Sequence, residues 1–290
     1  MSLPIVFIHG KSLFPGKKDY GYVETAVRQA QAHNDNVVLL GAENNAHWPV
    51  QHYMQADYME GADFTCLPYY EHMSTNPEVF ETAATQMVFI LRNWMAAHGH
   101  EKAMLCESDT MIYTDMTEYE KRYDDYLAAI SIPHNQPGYR WSASCHASFW
   151  TMAGIEQMCD VVNWGYGTNA GKGAIQLKWD WHRETKAPGG ICVMTFLYFL
   201  AEQVALRNVT EIGEDGLTID HNIRVSENRL PIEFRVVPAK HPKYKGAMKE
   251  LRWINGIPHG WHEKRQERIG FAALHFNSSA KALMEDWRTP

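Results

Sequence analysis

Residues 103–113 read AMLCESDTMIY. Ala103, Met104, Leu105 and Cys106 are residues of a buried strand, as are Met111, Ile112 and Tyr113. Between them stand Glu107, Ser108 and Asp109. Two carboxylates do not belong inside a core strand, because an uncompensated buried charge costs several kcal/mol or more. The acids make sense where the apolar run meets the carboxyl edge of a sheet, which is where open α/β sheets place their ligands. An acid-x-acid step at a strand end also turns alternate side chains to one face. Both carboxylates then converge on one divalent cation, and hard oxygen ligands suit Mg²⁺ or Mn²⁺ bridging to a diphosphate. The alternative is a solvated turn whose acids cap a helix or face water.

Working outward, residues 4–9 (PIVFIH) are a buried first strand ending at Gly10. The stretch YGYVETAVRQAQAHN carries Val23, Ala26, Val27 and Ala30 on one helical stripe. NVVLLG (36–41) is a second strand, DFTCLPYY (63–70) is expected as a third, and 103–113 supplies the fourth. Between the last two lies a helix over 74–99, with Asn76 as expected N-cap, Pro77 in the first position and Gly99 at its end. Phe80, Ala84, Met87, Leu91 and Trp94 form its expected inward face. Further on, WSASCHASFWTM (141–152) reads as a strand or strand-to-helix turn, GIEQMCDVVNWG as a helix and 165–173 as a loop. Residues 190–207 are expected helical, 217–225 and 232–237 extended, and GFAALHFNSS a final strand running into a loop. The alternation of strands and helices predicts an α/β fold with a mainly parallel central sheet flanked by helices. No repeat, low-complexity tract or linker divides it, so a single domain over 1–290 is expected.

Composition narrows the function classes. The 290 residues are 45% apolar and 21% charged, with 27 basic against 34 acidic side chains and a net charge of −7. A general nucleic-acid binder needs a basic surface, so that class is disfavoured. Five scattered cysteines without a CxxC pair read as reduced thiols. The opening MSLPIVFIHG lacks the basic and long apolar regions of a signal peptide, and the longest apolar stretch, ICVMTFLYFLA (191–201), is too short to span a bilayer. A cytoplasmic protein without a transmembrane segment is expected. Two motifs fail on inspection. PIVFIHG resembles the strand and His-Gly turn of α/β-hydrolases, but no G-x-S-x-G elbow follows anywhere. GYGTNAGKG has the wrong glycine spacing for a phosphate-binding P-loop.

The tail changes the weight of the acid pair. LHFNSSAK sets His275 six residues before Lys281. This segment resembles the H-x-x-G-x-x-K signature of glycogenin-like and bacterial galactosyltransferase-like GT-A glycosyltransferases. The opening β-α-β unit resembles the nucleotide-binding start of the same enzymes, and GGICVMTF resembles a Gly-Gly-x-x-Asp-Met-Thr stretch in uncharacterised bacterial and algal-virus relatives. The resemblance implies a GT-A-like, Rossmann-like domain with a nucleotide-sugar-binding half over 1–130 and an acceptor half over 131–290 that ends in the metal- and diphosphate-binding segment. It implies Glu107, Asp109 and His275 as ligands of Mn²⁺ or Mg²⁺. It implies His9, Gly10, Lys11, Glu107, Ser108 and Lys281 as contacts to a nucleotide-diphosphate sugar, expected to be UDP-linked. Three departures stand out: Glu107 replaces the first Asp of the D-x-D pair, Ser278 replaces the Gly, and Val193 replaces the Asp of the third stretch.

The implied activity is hexosyl or pentosyl transfer from such a donor to a sugar hydroxyl of a glycan acceptor. Trp150, Trp179 and Trp181 are candidates to stack on sugar faces, against the alternative that they fill the core. Asp180 is the expected base if transfer inverts configuration, and no base is obligatory if it retains. A non-catalytic nucleotide-sugar or carbohydrate-binding protein and a metal-dependent phosphohydrolase are the competing readings.

Overall fold

The computed structural model describes residues 2–10, 21–133, 136 and 138–289. The chain opens with β1 (Ile5–Ile8), α1 (Gly21–Gln31), β2 (Val37–Gly41), β3 (Gln51–Met54), α2 (Glu78–His98) and β4 (Lys102–Cys106). β3, β2, β1 and β4 lie side by side in that order, all parallel. Next come β5 (Thr110–Ile112), α3 (Met116–Glu120), β6 (Ala128–Ser131) and β7 (Ser144–Thr151). Helices α4 (Met152–Gly167), α5 (Asn169–Thr185) and α6 (Val193–Gln203) then lead to β8 (Arg207–Asn208). β7 runs antiparallel to both β4 and β6, and β8 adds parallel to β6, completing a seven-stranded sheet. The expected α/β class, with a mostly parallel central sheet, is what the structure shows.

Both faces of this sheet are covered. Phe7, Leu39, Met104 and Phe149 pack to one side with α1, while their neighbours Val6, Val38, Leu105 and Trp150 pack to the other with α2, α4 and α6. That two-sided burial explains why β1, β2 and β4 read as unbroken apolar runs instead of alternating ones.

The remaining strands are β9 (Leu217–Ile219), β10 (Val236–Pro238), β11 (Ala247–Lys249), β12 (Leu251–Ile254), β13 (Ile257–His262) and β14 (Glu267–His275). β12, β13, β14 and β5 form a second, antiparallel sheet, with β9 parallel on β14. Residues 103–113 are therefore two strands in two sheets. The chain leaves the central sheet at Cys106, turns through Glu107–Asp109, and enters the second sheet at Thr110. The acids occupy the crossing.

Several expectations are corrected. Residues 63–70 hold a short 3-10 turn (Phe64–Cys66) and no strand, and the third parallel strand is Gln51–Met54. That strand, QHYM, lies at the sheet edge with exposed and half-buried residues, so it gives no apolar run. Residues 165–173 are helical except at Thr168, whose hydroxyl accepts from Gly171 N–H at 3.0 Å and caps α5. A Cβ at Gly171 would overlap the Trp164 carbonyl, so glycine there permits the close helix-to-helix turn. Pro77, not Asn76, takes the N-cap position of α2, and the Asn76 side chain donates to Glu81 at 2.8 Å. Gly99 does end α2, at φ 67°. Of 217–225 only the first three residues are extended, and of 232–237 only the end continues into β10.

Trp150 is fully buried in the middle of the central sheet, its indole N–H donating to Ser148 Oγ at 2.7 Å. It is a core residue and does not reach a sugar. Trp150→Ala should lower the unfolding free energy by about 3–5 kcal/mol, read from the urea midpoint at unchanged m-value. A loss below about 1 kcal/mol, the size of an ordinary surface change, would contradict this placement.

Candidate active site

β4 ends where its last residue, Cys106, still pairs with β1 and β7. The turn that follows is tied on two sides. Glu107 N–H donates to His146 O at 2.8 Å on β7, and Phe276 N–H donates to Asp109 O at 2.8 Å from the end of β14. β5 and β14 pair with His275 opposite Thr110 and Leu274 opposite Met111. This register brings an imidazole from 166 residues further along the chain to the carboxylate of Asp109. A slip of one residue would turn His275 to the other face of its strand.

One donor atom each from Glu107, Asp109 and His275 lies within 4.8 Å of the others. His275 Nε2 is 3.5 Å from Asp109 Oδ1, and Lys281 Nζ is 3.1 Å from Oδ2. The ammonium of Lys281 also lies 4.8 Å from the centre of the Tyr22 ring. Burial pushes the Asp109 carboxyl upward, but His275 and Lys281 outweigh it and hold this group below the usual carboxylate range. Glu107 takes the opposite course. Burial first, and the charge of Asp109 second, raise it to about 7. Burial lowers His275, yet Asp109 overcomes this and lifts the imidazole to about 9. The neighbouring carboxyls are thus shifted in opposite directions, and the two basic groups that offset their charge both lie on Asp109.

His275 is fixed in orientation. Its Nδ1 hydrogen bonds to the His221 carbonyl at 2.7 Å, which leaves Nε2 turned towards Asp109. The ring of His146 stacks on it at 4.3 Å with an interplanar angle of 10°. Burial, and then His275, push His146 well below its ordinary value, so it stacks as a neutral ring.

A cleft of about 290 Å³ opens beside this cluster. His9, Gly10, Glu107, Ser108, Asp109 and Lys281 line it, as do Tyr22 and Gln55. Six sequence-predicted residues therefore meet at one place, the carboxyl ends of β1 and β4. His275 completes the cluster from behind the acids. Lys11 lies outside the described residues. Burial, then Lys281, depress His9 to about 4, which makes its imidazole neutral. The opposite wall is Phe80, Ala83, Ala84 and Met87 of α2. Of the expected inward face, Leu91 and Trp94 are buried and Ala84 and Met87 pack partly buried against the core while also lining the cleft; Phe80 is exposed and lines the cleft.

Asp180 is placed elsewhere. It sits on α5, does not line the cleft, and hydrogen bonds to Arg183 and Gln176. Those two bonds hold its carboxyl below the ordinary range, away from the near-neutral value that suits a general base. Trp179 and Trp181 on the same helix are half-buried. Val193 is buried at the start of α6. Ser278 has φ 55°, the left-handed region that favours the glycine of the motif it resembles.

Sequence reasoning missed Gln55 and the loop that follows β9. A Cβ at Gly10 would overlap the Gln55 side-chain amide, so the glycine makes room for it. Gln55 Oε1 is buried without a hydrogen-bond partner among the described residues. A lone glutamine after an unrecognised edge strand carries no sequence signal.

The donor set fits a divalent cation. It is two carboxylates and one imidazole, with the imidazole orientation fixed by a backbone carbonyl as ligating histidines usually are.

No family model matches the chain, and no curated protein does by sequence. Among solved structures it is similar to mouse xyloside xylosyltransferase 1 in its apo form, at TM-score 0.43 and 8% identity over 72% of this chain and 84% of that one. It is similar to the galactosyltransferase LgtC in complex with donor and acceptor sugar analogs, at TM-score 0.36 and 10% identity over 67% and 69%. A third is a glycosyltransferase involved in glycosylation of the major capsid of PBCV-1, at TM-score 0.30 and 10% identity over 56% and 66%. All three are glycosyltransferases, the class that the tail motif resembles. With TM-scores below 0.5 these likenesses carry no weight of their own, and the chemistry rests on the residues.

Replacing His275 by Ala should weaken Mn²⁺ binding by more than the ~10–100-fold that loss of an outer partner costs. The free-ion electron paramagnetic resonance signal measures it. Unaltered affinity would separate the imidazole from the acids as a ligand set.

Proposed function

We propose that the protein transfers a sugar from a nucleotide-diphosphate donor, UDP-linked in the first instance, to a sugar hydroxyl of a glycan acceptor. One observation carries this reading: an acid pair at a strand's carboxyl end, an imidazole from the tail and a lysine converge beside a cleft with one apolar wall, from α2.

In this reading Glu107, Asp109 and His275 hold Mn²⁺ or Mg²⁺, which would act as a Lewis acid on the departing diphosphate. Lys281 supplies a second positive charge to the same leaving group, and its amine is already on the cleft side of Asp109. Charge that develops on the diphosphate is better stabilised in such a partly dry site than in water. His9, neutral, and Gly10 form the floor for the nucleoside. Gln55 offers a buried carbonyl that an N–H of the ligand would satisfy, since leaving such a group unpaired costs about 1–3 kcal/mol. The α2 wall of Phe80, Ala83, Ala84 and Met87 gives apolar contact and excludes water. Asp180 does not line the cleft, so this reading gives it no role at the reacting centre.

The test incubates the protein with Mn²⁺, a panel of nucleotide sugars and simple acceptor sugars. Release of nucleoside diphosphate that grows with acceptor supports transfer. Acceptor-independent phosphate release would make the protein a hydrolase, and binding without turnover a binding module. Asp109→Ala is expected to abolish Mn²⁺-dependent UDP affinity and to reduce turnover by at least ~100-fold. Full activity in that variant removes the site from the chemistry.

A further inference from the structure

We infer that the buried Lys249–Asp220 pair is a positioning device for His275, setting the direction in which its imidazole faces the two acids. The inference rests on the metal-site reading above and concerns residues that no motif identifies.

The geometry is closed at every step. Lys249 and Asp220 are both completely buried, with Nζ 2.6 Å from Oδ1. Nζ also donates to Asn222 O at 2.7 Å and to Glu227 O at 3.1 Å. All three acceptors of this ammonium thus lie in one segment, 220–227, which follows β9 and has no regular secondary structure. The same segment provides the contacts that fix the histidines. Asp220 Oδ2 accepts His275 N–H at 3.3 Å, the Asp220 carbonyl takes His146 Nε2 at 2.7 Å, and the His221 carbonyl takes His275 Nδ1 at 2.7 Å.

Stability alone is a poor reason for such a pair. Replacing a buried ion pair by apolar residues of similar volume is often neutral or stabilising. What an ammonium supplies and a methyl group does not is three directed N–H bonds. These gather the loop so that two carbonyls meet two imidazole rings while the Asp220 carboxylate accepts the backbone N–H of His275. The segment's backbone is also tied by Asp220 N–H to Ala273 O, Ile223 N–H to His275 O and His221 N–H to Asn228 Oδ1. The ammonium adds the grip on either side of His221, at Asp220 and Asn222, and a ligating imidazole whose outer partner drifts loses affinity for its metal.

The experiment separates positioning from folding. Lys249→Met alone leaves Asp220 as an unpaired buried charge and is expected to lower the melting temperature sharply. The double variant Asp220→Asn with Lys249→Met removes both charges and should recover most of that loss. Mn²⁺ binding, measured with the metal alone, should nevertheless remain ~10–100-fold weaker than in the native protein. Wild-type Mn²⁺ affinity in the refolded double variant overturns the proposal. A second readout needs no variant. In the metal-free native protein the His275 Nδ1–H proton should be a downfield, exchange-protected nuclear magnetic resonance signal, and rapid exchange of that proton also overturns it. The controls His275→Ala and Asp109→Ala distinguish the two levels of failure. If neither changes Mn²⁺ affinity, the metal site itself is wrong. If both do and the double variant does not, only the positioning role of Lys249 and Asp220 falls.

Discussion

Two carboxylates within one turn, Asp109 buried and Glu107 half-buried, repel each other and are each penalised by loss of water, so they persist only where positive charge is delivered to them. Glu107 and Asp109 impose that requirement on the whole chain. The positive charge comes from the far end of the sequence: His275 closes β14 and Lys281 follows it in a 3-10 segment, Ser278–Trp287. Neither reaches Asp109 unless β14 pairs with β5 in the observed register, and β5 exists only because the chain leaves the central sheet at the acids. The site and the crossing between the two sheets are one feature.

The tail that carries these cations is anchored independently of them. Tyr113 donates its hydroxyl proton to Trp287 O at 3.0 Å, Trp287 stacks on Trp253 at 5.6 Å, and Thr289 exchanges hydrogen bonds with Gln29 of α1 at 2.6 and 2.9 Å. The Lys281 side chain therefore springs from a segment held at its far end by the first helix and the second sheet. From that base its ammonium reaches one oxygen of Asp109 and lies over the Tyr22 ring. His275 is held from the other side, its ring bonded at Nδ1 and stacked on His146.

Much of this was legible in the sequence, and the reason differs from residue to residue. β1, β2 and β4 announce themselves because strands buried on both faces are apolar throughout. The acid pair stands out against that background, and His275 and Lys281 are found because their spacing resembles a known signature. The other parts of the site have no local mark. β3 is a polar edge strand, so Gln55 at its end could not be placed. The 165–173 stretch reads as a loop because its glycines are common in loops, although Gly171 serves a tight helix junction. Lys249 and Asp220 look like two ordinary charged residues 29 apart, and only the loop between them makes them a buried pair. Phe80 was assigned to the core because periodicity reports which residues share a face, not whether that face ends in protein or in a cleft.

Glu107 marks the clearest departure from the D-x-D pattern, and the structure gives it a physical consequence. Its backbone is fixed by the hydrogen bond to His146 O, so the additional methylene extends the carboxyl further from the strand. Among the described residues its carboxylate makes no ion pair: the cations His275 and Lys281 both lie on Asp109. Burial first, and the charge of Asp109 second, raise its carboxyl to about 7, while His275 and Lys281 outweigh burial and lower that of Asp109. The two carboxyls are thus pushed in opposite directions by their surroundings, Asp109 down and Glu107 up.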